Sequence, residues 1–480
     1  MAKVVVIGAG FAGHTAAMYI GDALGRDHDV TMINMSDRFL YVPSLIWVGV
    51  GRMDANTTRF PLKPVYDKLN VNFVHGKATE IHPDLEDQYV IAEKKGSGET
   101  VRVDYDYLVV ATGPKLDFDA TPGLGPHIGH SFSVCTAGHA VESRDKYLEA
   151  VARMKKGEKQ KMVIGTGHGS ATCQGAAFEY VANIAKDIVR RGVDPSMAEV
   201  VFLSNERELG DFGVRGVHVN KGGKVISSAD FMGAAFKEYG ITPQIGRAVK
   251  QVDKGVAYWE DVDGNDGETT FDFAMLIPKF SGMPMKYIGK DGQDVSSQVV
   301  NAGGFVIVDG KYGRPYEVTY KDPDSWPAVY QNPNYGNIFA AGIAFAPPGP
   351  ISEPYINPNG TPISPAPPRT GMVSGVIGRV VGMNIIDLVK KGRMTHSERM
   401  TEMFAACLAS MGDSLWDGSA ASIIVYPVVP DFRAYPNEEG RDMFVTDMEM
   451  GLSGAWMKRM VHTTFMHKFQ GRIGWKLIPE

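Results

Sequence analysis

The amino-acid sequence predicts an α/β protein with two nested nucleotide-binding domains and a C-terminal region of different character. Two segments carry this prediction, one beginning at Lys3 and the other at Lys161. Each has a short apolar strand, a glycine-rich turn and then a helix-forming run, which is the unit that builds Rossmann-like domains. In such domains a ligand lies beyond the carboxyl ends of the parallel strands, so both turns are candidate binding sites.

The first glycine turn occupies residues 8–13 and follows the β-branched run at 4–7, which is typical of a buried parallel strand. Its G-x-G-x-x-G spacing serves a tight turn, close backbone approach to a pyrophosphate and close contact between helix and strand. The N-terminus of the next helix then offers unpaired N–H groups to the phosphates. We therefore predict a dinucleotide site with these contacts: Gly8, Gly10, Phe11, Ala12 and Gly13.

Two further segments indicate which dinucleotide binds. The second strand ends at Asn34, about 20 residues past the glycines, where an acidic side chain usually binds the ribose; Arg38 lies just beyond it. An apolar strand at 105–110 ends in a small-residue turn at 111–113, which lets backbone approach a ligand closely. This pairing of turns is similar to that of the flavoprotein disulfide-reductase superfamily, and it implies FAD because NAD alone would not require the second turn.

Length and composition limit the classes of function. A chain of 480 residues allows two or three domains with a sizeable core. The net charge of −6 makes no general case for binding nucleic acid, and three cysteines argue for a reducing compartment rather than a disulfide scaffold. No signal peptide is expected, since the first strand begins at once, and no apolar run approaches the roughly 20 residues that span a bilayer.

The second glycine turn departs from the spacing of the first. It spans residues 165–170 and carries Ser170 where the third glycine would stand. A helix is expected from residue 176 to 188 and another strand at 199–205, which completes a second βαβ unit. We predict that this unit keeps the fold without binding NAD(P)H.

Later segments complete the predicted domains. Apolar runs at 271–277 and 337–342 read as strands that return to the two sheets. The proline-rich stretch at 346–368 is expected to be a long loop, and a helix is expected over 372–391. The predicted domains are residues 1–118 with 300–395 for the first, 119–299 for the second and 396–480 for the C-terminal region.

Eight short motifs follow one another along most of the chain. In order they are Y-V-P-S-L-I-W at 41–47, S-V-C-T at 133–136, G-S-A-T-C-Q-G-A-A-F-E at 169–179, G-D-F-G at 210–213, M-L-I-P-K-F-S-G at 275–282, F-A-A-G at 339–342, R-T-G at 369–371 and A-C-L-A-S-M-G at 406–412. Together they resemble the sulfide:quinone oxidoreductase family, a relative of flavocytochrome c sulfide dehydrogenase. The resemblance implies FAD-dependent oxidation of sulfide, or of a related small sulfur species, with electrons passed to a membrane quinone.

The resemblance also implies a set of site residues. The cofactor contacts beyond the first turn would be Asn34, Arg38, Ser44, Ala78, Ala111, Thr112, Gly113, Gly342, Ile343, Arg369, Thr370 and Gly371. The quinone pocket would be walled by Phe345 and Pro347. No cysteine or histidine spacing suggests a metal site.

Cys173 is the predicted redox thiol, because it falls in the family's cysteine motif at the start of a helix, five residues after His168. A reactive thiolate needs such an electropositive setting. Family members usually carry a partner cysteine after the third strand of the FAD domain, but Ala344 stands there, which excludes that disulfide. Cys135 would attach the flavin or hold a spare sulfur acceptor. Cys407 is expected to be a packing residue.

The last 30 residues carry a net side-chain charge of +4 in a chain that is acidic overall. An apolar stripe at four-residue spacing lies beside these cations: Met457, Val461, Phe465 and Phe469. This pattern fits an amphipathic helix in a lipid interface, with a core helix or a dimer contact as the alternative. We therefore expect a peripheral, monotopic membrane protein, and a homo-oligomer stays an open alternative.

Two other functions stay open. A type-II NADH:quinone dehydrogenase would also have two Rossmann-like domains, but it should show an intact second G-x-G-x-x-G followed by an acidic residue. A flavin-binding protein that has lost the sulfide reaction would be consistent with Ala344.

Overall fold

The computed structural model describes residues 1–368, 370–412, 416 and 418–480. The strands are β1 Lys3–Ile7, β2 Asp29–Asn34, β3 Arg38–Leu40, β4 Arg59–Pro61, β5 Asn72–His82, β6 Tyr89–Lys94, β7 Thr100–Asp104, β8 Tyr107–Val110, β9 Pro114–Asp117, β10 Gln160–Thr166, β11 Ala198–Leu203, β12 His218–Lys221, β13 Lys224–Ser227, β14 Ile241–Gln244, β15 Arg247–Asp253, β16 Val256–Asp261, β17 Asp266–Thr270, β18 Phe273–Ile277, β19 Lys279–Gly282, β20 Lys286–Tyr287, β21 Ile338–Ala340, β22 Ala405–Met411, β23 Ser419–Val425 and β24 Asp447–Gly451. The helices are α1 Phe11–Leu24, α2 Leu45–Gly49, α3 Lys63–Lys68, α4 Ala137–Met154, α5 Gln174–Arg190, α6 Ser228–Tyr239, α7 Ser296–Val299, α8 Tyr316–Thr319, α9 Gly371–Lys391 and α10 Leu452–Phe469.

The first domain is built on a sheet of order β21-β8-β1-β2-β5-β6-β7. Strands β21, β8, β1, β2 and β5 are parallel, and β6 and β7 extend the sheet antiparallel. Strand β1 is almost wholly buried, as its β-branched run predicts. The nested α/β fold that the two glycine turns predict is therefore confirmed.

Helices α1 and α9 cross closely over this sheet. A β-carbon on Gly378 would lie 2.2 Å from the carbonyl oxygen of Ala12, so only glycine allows the two backbones to approach this far. The expectation that no apolar run is long enough to span a bilayer is wrong by this measure, because one described helix, α9, is long and apolar enough to cross a membrane. Two-thirds of its apolar window (67%) is buried inside the molecule, so its composition also fits a core helix.

The second domain carries a parallel sheet of order β14-β11-β10-β18, flanked by the antiparallel β15-β16-β17. Strand β10 runs into the second glycine turn, and α5 follows it. An antiparallel pair, β9 and β19, joins the two domains. The proline-rich loop has no helix or strand from residue 346 to 368, in agreement with its composition. The exact domain limits given above stay a prediction.

The sequence predicts amphipathic helices throughout the C-terminal region, and the structure differs from this prediction. It holds a three-stranded antiparallel sheet, β22-β23-β24, and the helix α10. The apolar stripe of α10 faces inward rather than outward, because Phe465 and Phe469 are buried against the first domain. Two of the neighbouring cations, Lys458 and Lys468, are buried in ion pairs instead of facing lipid. Met457 and Val461 are half-buried, so the C-terminal half of the stripe is a packing surface.

Candidate functional site

The first glycine turn closes against the small-residue turn after β8. Gly8 has a φ of +97°, and a β-carbon on it would lie 2.3 Å from the carbonyl oxygen of Ala111. A β-carbon on Gly13 would lie 1.9 Å from the carbonyl oxygen of Gly8. On Gly10, by contrast, it would meet no described atom within 4 Å. The turn is thus packed on two sides and open at Gly10, the N-cap of α1, which has no capping side chain; this fits approach of a pyrophosphate.

Three further residues that are predicted to contact the cofactor, Asn34, Arg38 and Ala78, have different surroundings. The Asn34 side chain accepts a hydrogen bond from Ala9 N–H (2.9 Å) and donates one to the carbonyl of Ser36 (2.7 Å). It therefore braces the glycine turn, and this occupies both of its amide atoms. Arg38 is exposed and Ala78 is buried in β5.

Phe11 and Ser44 face the C-terminal helix. The Phe11 ring lies 5.3 Å from that of Phe469, so this side chain packs within an aromatic cluster and leaves its backbone to face a ligand. Ser44 Oγ lies 2.8 Å from His462 Nδ1 and is fully buried. Both predicted contacts consequently tie the cofactor edge to α10.

Part of the predicted flavin set and both predicted quinone residues line one small cavity. Its lining includes Gly342, Ile343, Phe345, Pro347, Thr370, Pro367 and Pro368. Gly342 has a φ of +65°, and a β-carbon there would lie 2.7 Å from Ala12 Cβ. A β-carbon on Gly371 would lie 3.0 Å from the Phe11 ring, so the N-termini of α1 and α9 meet beside this cavity. Arg369 lies outside the described residues.

Ala344 lines a second small cavity. Thr112 and Gly113 of the predicted flavin turn line it as well, together with Met283 and Met285. Ala344 is 3% exposed, and its carbonyl accepts a hydrogen bond from Val306 N–H (2.9 Å).

Cys173 is the N-cap of α5 and has a φ of +68°, in the left-handed region that a β-carbon makes unfavourable. It is half-buried. The preceding residue, Thr172, donates a hydrogen bond from Oγ1 to the carbonyl of Pro367 (2.9 Å). Because Pro367 also lines the cavity of Gly342 and Phe345, this contact connects the predicted thiol to the predicted flavin and quinone residues.

The other two thiols lie in settings that keep them protonated. Burial raises the pKa of Cys135, and it raises that of Cys407 to about 11 with a further contribution from the nearby Glu179 carboxylate. Cys407 packs close to α5, since its Sγ would lie 3.2 Å from a β-carbon on Gly175. Within the described part of the chain, no cluster of three metal-binding side chains occurs.

The second glycine turn is filled by the protein itself. Asn205 donates from Nδ2 to the carbonyls of Gly169 (3.0 Å) and Ala171 (3.1 Å). The proline-rich loop lies over the same turn, because Ser364 N–H donates to the carbonyl of Gly169 (3.0 Å) and a β-carbon on Gly169 would lie 2.1 Å from the carbonyl oxygen of Pro362. The place where a pyridine nucleotide would bind is therefore covered.

Comparison with known proteins agrees with these two nucleotide folds. The sequence model of the pyridine nucleotide-disulphide oxidoreductase family matches residues 2–277, more than half of the chain. The chain belongs to this family.

Within this family of oxidoreductases, the chain is similar to the sulfide-quinone reductase of Aquifex aeolicus, at 29% identity over 430 residues, which are 90% of this chain and 85% of that protein. The X-ray structure of the sulfide:quinone oxidoreductase from Aquifex aeolicus matches with a TM-score of 0.76 and 27% identity, over 98% of this chain and 92% of that one. The structure of NDH2 from Plasmodium falciparum, at 12% identity and a TM-score of 0.66 over 99% and 97% of the two chains, shares the fold. The type II NADH:quinone oxidoreductase of Staphylococcus aureus is 26% identical over 205 residues, 42% of this chain and 48% of that protein. The protein is thus an oxidoreductase and a homologue of sulfide-quinone reductase.

One candidate side chain, Lys279, was not predicted from the sequence. Lys279 begins β19, directly beyond β18. It follows Pro278 in the motif at 275–282, where the motif of the resembled family, I-P-P-F-x-G, has a second proline. Strands β10 and β18 run parallel with Thr166 opposite Ile277, so His168 and Lys279 follow at the same carboxyl edge. Burial lowers the pKa of His168, Lys279 lowers it further, and Asp117 opposes the shift. Lys279 is half-buried, and no hydrogen bond or ion pair to another described residue is formed by its amine. The replacement of the motif's second proline by lysine is the sequence signal that could have identified this residue.

Proposed function

We propose that the protein oxidises sulfide, or a related small sulfur species, and passes the electron pair through FAD to a quinone. The convergence of three predicted parts on one cavity carries this proposal: the flavin turn at Gly342, the apolar wall at Phe345 and the loop at Pro367 that touches the residue before Cys173. The similarity to a sulfide-quinone reductase over 90% of the chain supports the same function.

Two turns and two helix N-termini would hold the FAD. The open side of Gly10 and the first N–H groups of α1 suit the pyrophosphate, and the turn at 111–113 and the start of α9 suit the rest of the cofactor. FAD, when bound, supplies reversible acceptance of an electron pair. The protein supplies orientation, because tight packing around Gly8, Gly13 and Gly342 leaves these turns little freedom to move.

Cys173 Sγ is the atom proposed to bind the sulfur substrate. Joining hydrosulfide to the Cys173 thiol as a persulfide releases a proton and an electron pair, which FAD would accept, so the site must first attract an anion. The N-terminus of α5 and the amine of Lys279 both favour negative charge at this edge of the sheet. Cys135 and Cys407 are the weaker candidates, because burial keeps both as thiols at neutral pH.

The two alternatives have less support. An NADH dehydrogenase would need space at the second glycine turn, which Asn205 and the proline-rich loop fill. Ala344, which stands where the resembled family has a cysteine, is the one feature that favours a flavoprotein without the sulfide reaction. The segment that lies against Thr172, the neighbour of Cys173, is residues 366–367 and not residue 344.

Association with a membrane belongs to the same proposal. The apolar side chains that α10 and the segment after it leave exposed include Trp456 (53%), Met460 (58%), Ile473 (99%) and Leu477 (87%). Exposed aromatic and aliphatic side chains beside cations suit the interface of a bilayer, which is where a quinone is available. The protein would then be a peripheral, monotopic membrane protein.

Anaerobic titration tests the function directly. The purified protein should carry FAD, and stepwise sulfide should bleach its flavin absorbance, which a quinone analogue should restore. NADH should bleach it far more slowly, because the second turn is covered. Fast bleaching by NADH with none by sulfide would move the assignment to the dehydrogenase, and a protein that cannot bind FAD would end the proposal.

A further inference from the structure

A third cavity, of about 600 Å³, opens away from the site described above, between α4 and the segment that follows α2. Three arginines line it: Arg52, Arg59 and Arg144. Among the lining residues that the structure describes, Asp54 is the one carboxylate, and it is already used to cap the next turn by accepting a hydrogen bond from Asn56 N–H (2.7 Å). The cavity therefore has an excess of positive charge.

The guanidinium groups in and behind this cavity are incompletely neutralised. Arg52 pairs with Asp187 (Nε to Oδ1, 2.5 Å), but Arg191 uses the same carboxylate. Arg59 donates from Nε (3.2 Å) and Nη2 (2.6 Å) to the neutral side-chain amide of Asn56, and it has no carboxylate partner among the described residues. Arg144 pairs with the exposed Asp145 (Nη2 to Oδ1, 2.8 Å) at the rim of the cavity. The unneutralised charge is therefore that of Arg59 and of the two arginines that share Asp187, and it attracts an anion.

We propose that this cavity binds a phosphate ester. A guanidinium presents a planar fork of donors that matches phosphate oxygens, so Arg59 and Arg144 provide the recognition that a point charge would not. The volume exceeds that of phosphate alone and leaves room for the small polar group that esterifies it. The phosphate could come from the headgroup of an anionic lipid or from a soluble ester.

The position of the cavity favours the lipid as the source. Arg191 Nη2 donates to the carbonyl of Val50 (2.9 Å) at the cavity wall, and the adjacent Arg190 has its Nη1 3.2 Å from where a β-carbon on Gly412 would be. Trp416, four residues after Gly412 in the sequence, is 89% exposed. Exposed tryptophan beside clustered arginine suits a membrane surface, so this source rests on the membrane association proposed above.

The test uses the full-length, FAD-loaded protein. One double variant, Arg59→Gln with Arg144→Gln, removes the proposed contacts, and a second, Arg102→Gln with Arg153→Gln, removes two exposed arginines elsewhere. Co-sedimentation with phosphatidylcholine vesicles, with and without phosphatidylglycerol, measures the lipid source; calorimetry with glycerol 3-phosphate measures the soluble one. We expect binding to phosphatidylglycerol vesicles to weaken by about tenfold or more in the first variant only.

The two assays distinguish a lipid headgroup from a soluble ester as the ligand of this cavity. If glycerol 3-phosphate binding is lost in the first variant while vesicle binding is not, the ligand is a soluble ester and the lipid source is rejected. If the wild-type protein and both variants behave alike in both assays, the proposal is overturned. Variants with lysine at both positions, which keep the charge, control for folding and should bind with intermediate affinity. If the protein binds the phosphate ester but oxidises no sulfide, the proposed function is rejected and the proposed phosphate site is retained.

Discussion

Cys173 adopts a backbone conformation that few side chains tolerate. Its φ of +68° lies in the left-handed region, where a residue other than glycine is held at a cost of about 1–3 kcal/mol by its surroundings. The hydrogen bond from Thr172 to the proline-rich loop and the start of α5 supply those surroundings. Strain of this kind places a side chain where an ordinary helix start would not.

Cys173→Ser should abolish sulfide-dependent quinone reduction while leaving FAD bound, because serine keeps the shape and loses the nucleophilic sulfur. The measurement is quinone reduction under anaerobic conditions beside the flavin spectrum. Cys407→Ser is the matched control and should affect stability alone, since that thiol is buried against α5. Turnover near the wild-type rate in Cys173→Ser would contradict the sulfur chemistry proposed here.

Lys279→Gln should raise the KM for sulfide about fivefold and leave kcat within about twofold, since about 1 kcal/mol of attraction for an anion is lost. Lys279→Arg should restore the wild-type KM. The wild-type KM should also rise with salt more steeply than that of the glutamine variant. An unchanged KM in Lys279→Gln would show that the substrate approaches from another side.

Glu206 should make stability depend on pH. Burial raises its pKa from 4.5 to about 8, so the folded protein holds a proton that the unfolded chain has released. Stability therefore falls as pH rises from about 5 to 8, and Glu206→Gln should remove up to about 1.4 kcal/mol per pH unit of that fall. Urea unfolding at several pH values measures it, with the exposed Glu208→Gln as the control. Parallel curves for all three proteins would refute this assignment.

At the scale of elements, the crossing of α1 and α9 decides the shape of the cofactor site. Small residues bring the two helices together, and their N-termini meet where Gly371 faces Phe11. Both positive dipole ends then point toward the same ligand space. The glycines of these helices thus have two distinct purposes, contact with a ligand and contact between helices.

Two substitutions should separate these purposes. Gly10→Val should fold and lose FAD, because the new side chain enters open space that the pyrophosphate would need. Gly378→Ala should lower the free energy of unfolding by about 1–3 kcal/mol, because its β-carbon meets the Ala12 carbonyl. Flavin absorbance and chemical unfolding measure the two effects. Retention of FAD by Gly10→Val would refute the pyrophosphate site.

At the scale of the whole molecule, the C-terminal region docks onto both nucleotide domains. Lys458 Nζ lies 3.1 Å from Glu179 on α5, and both side chains are buried. Ser410 donates to the same carboxylate, and His462 contacts Ser44 of the first domain. The membrane surface proposed here is consequently coupled to the site through buried polar contacts.

Lys458→Met should destabilise the protein by about 3–5 kcal/mol, since it leaves the Glu179 carboxylate buried and unpaired by its cation. Lys476→Met removes a surface pair with Asp22 and should change stability by less than about 1 kcal/mol. Thermal unfolding and limited proteolysis of the C-terminal region measure the difference. Equal stability of the two variants would show that this ion pair does not hold the region in place.

The sequence by itself determined the two nucleotide folds, because strand, glycine turn and helix are local patterns with a defined spacing. It also predicted cofactor and quinone contacts around residues 342–371; Gly342, Ile343, Phe345, Pro347 and Thr370 of that set line one cavity, and their roles stay a prediction. A single residue, Ser170, indicated that the second glycine turn departs from the usual spacing.

Contacts between distant segments were decided only by the tertiary structure. The inward orientation of Phe465 and Phe469, the burial of Lys458 with Glu179 and the cover over the second glycine turn each join residues far apart in the chain. Periodicity reveals an apolar face but not whether protein or lipid covers it, because both remove apolar surface from water. Lys279 likewise became a candidate only when two parallel strands placed it beside His168.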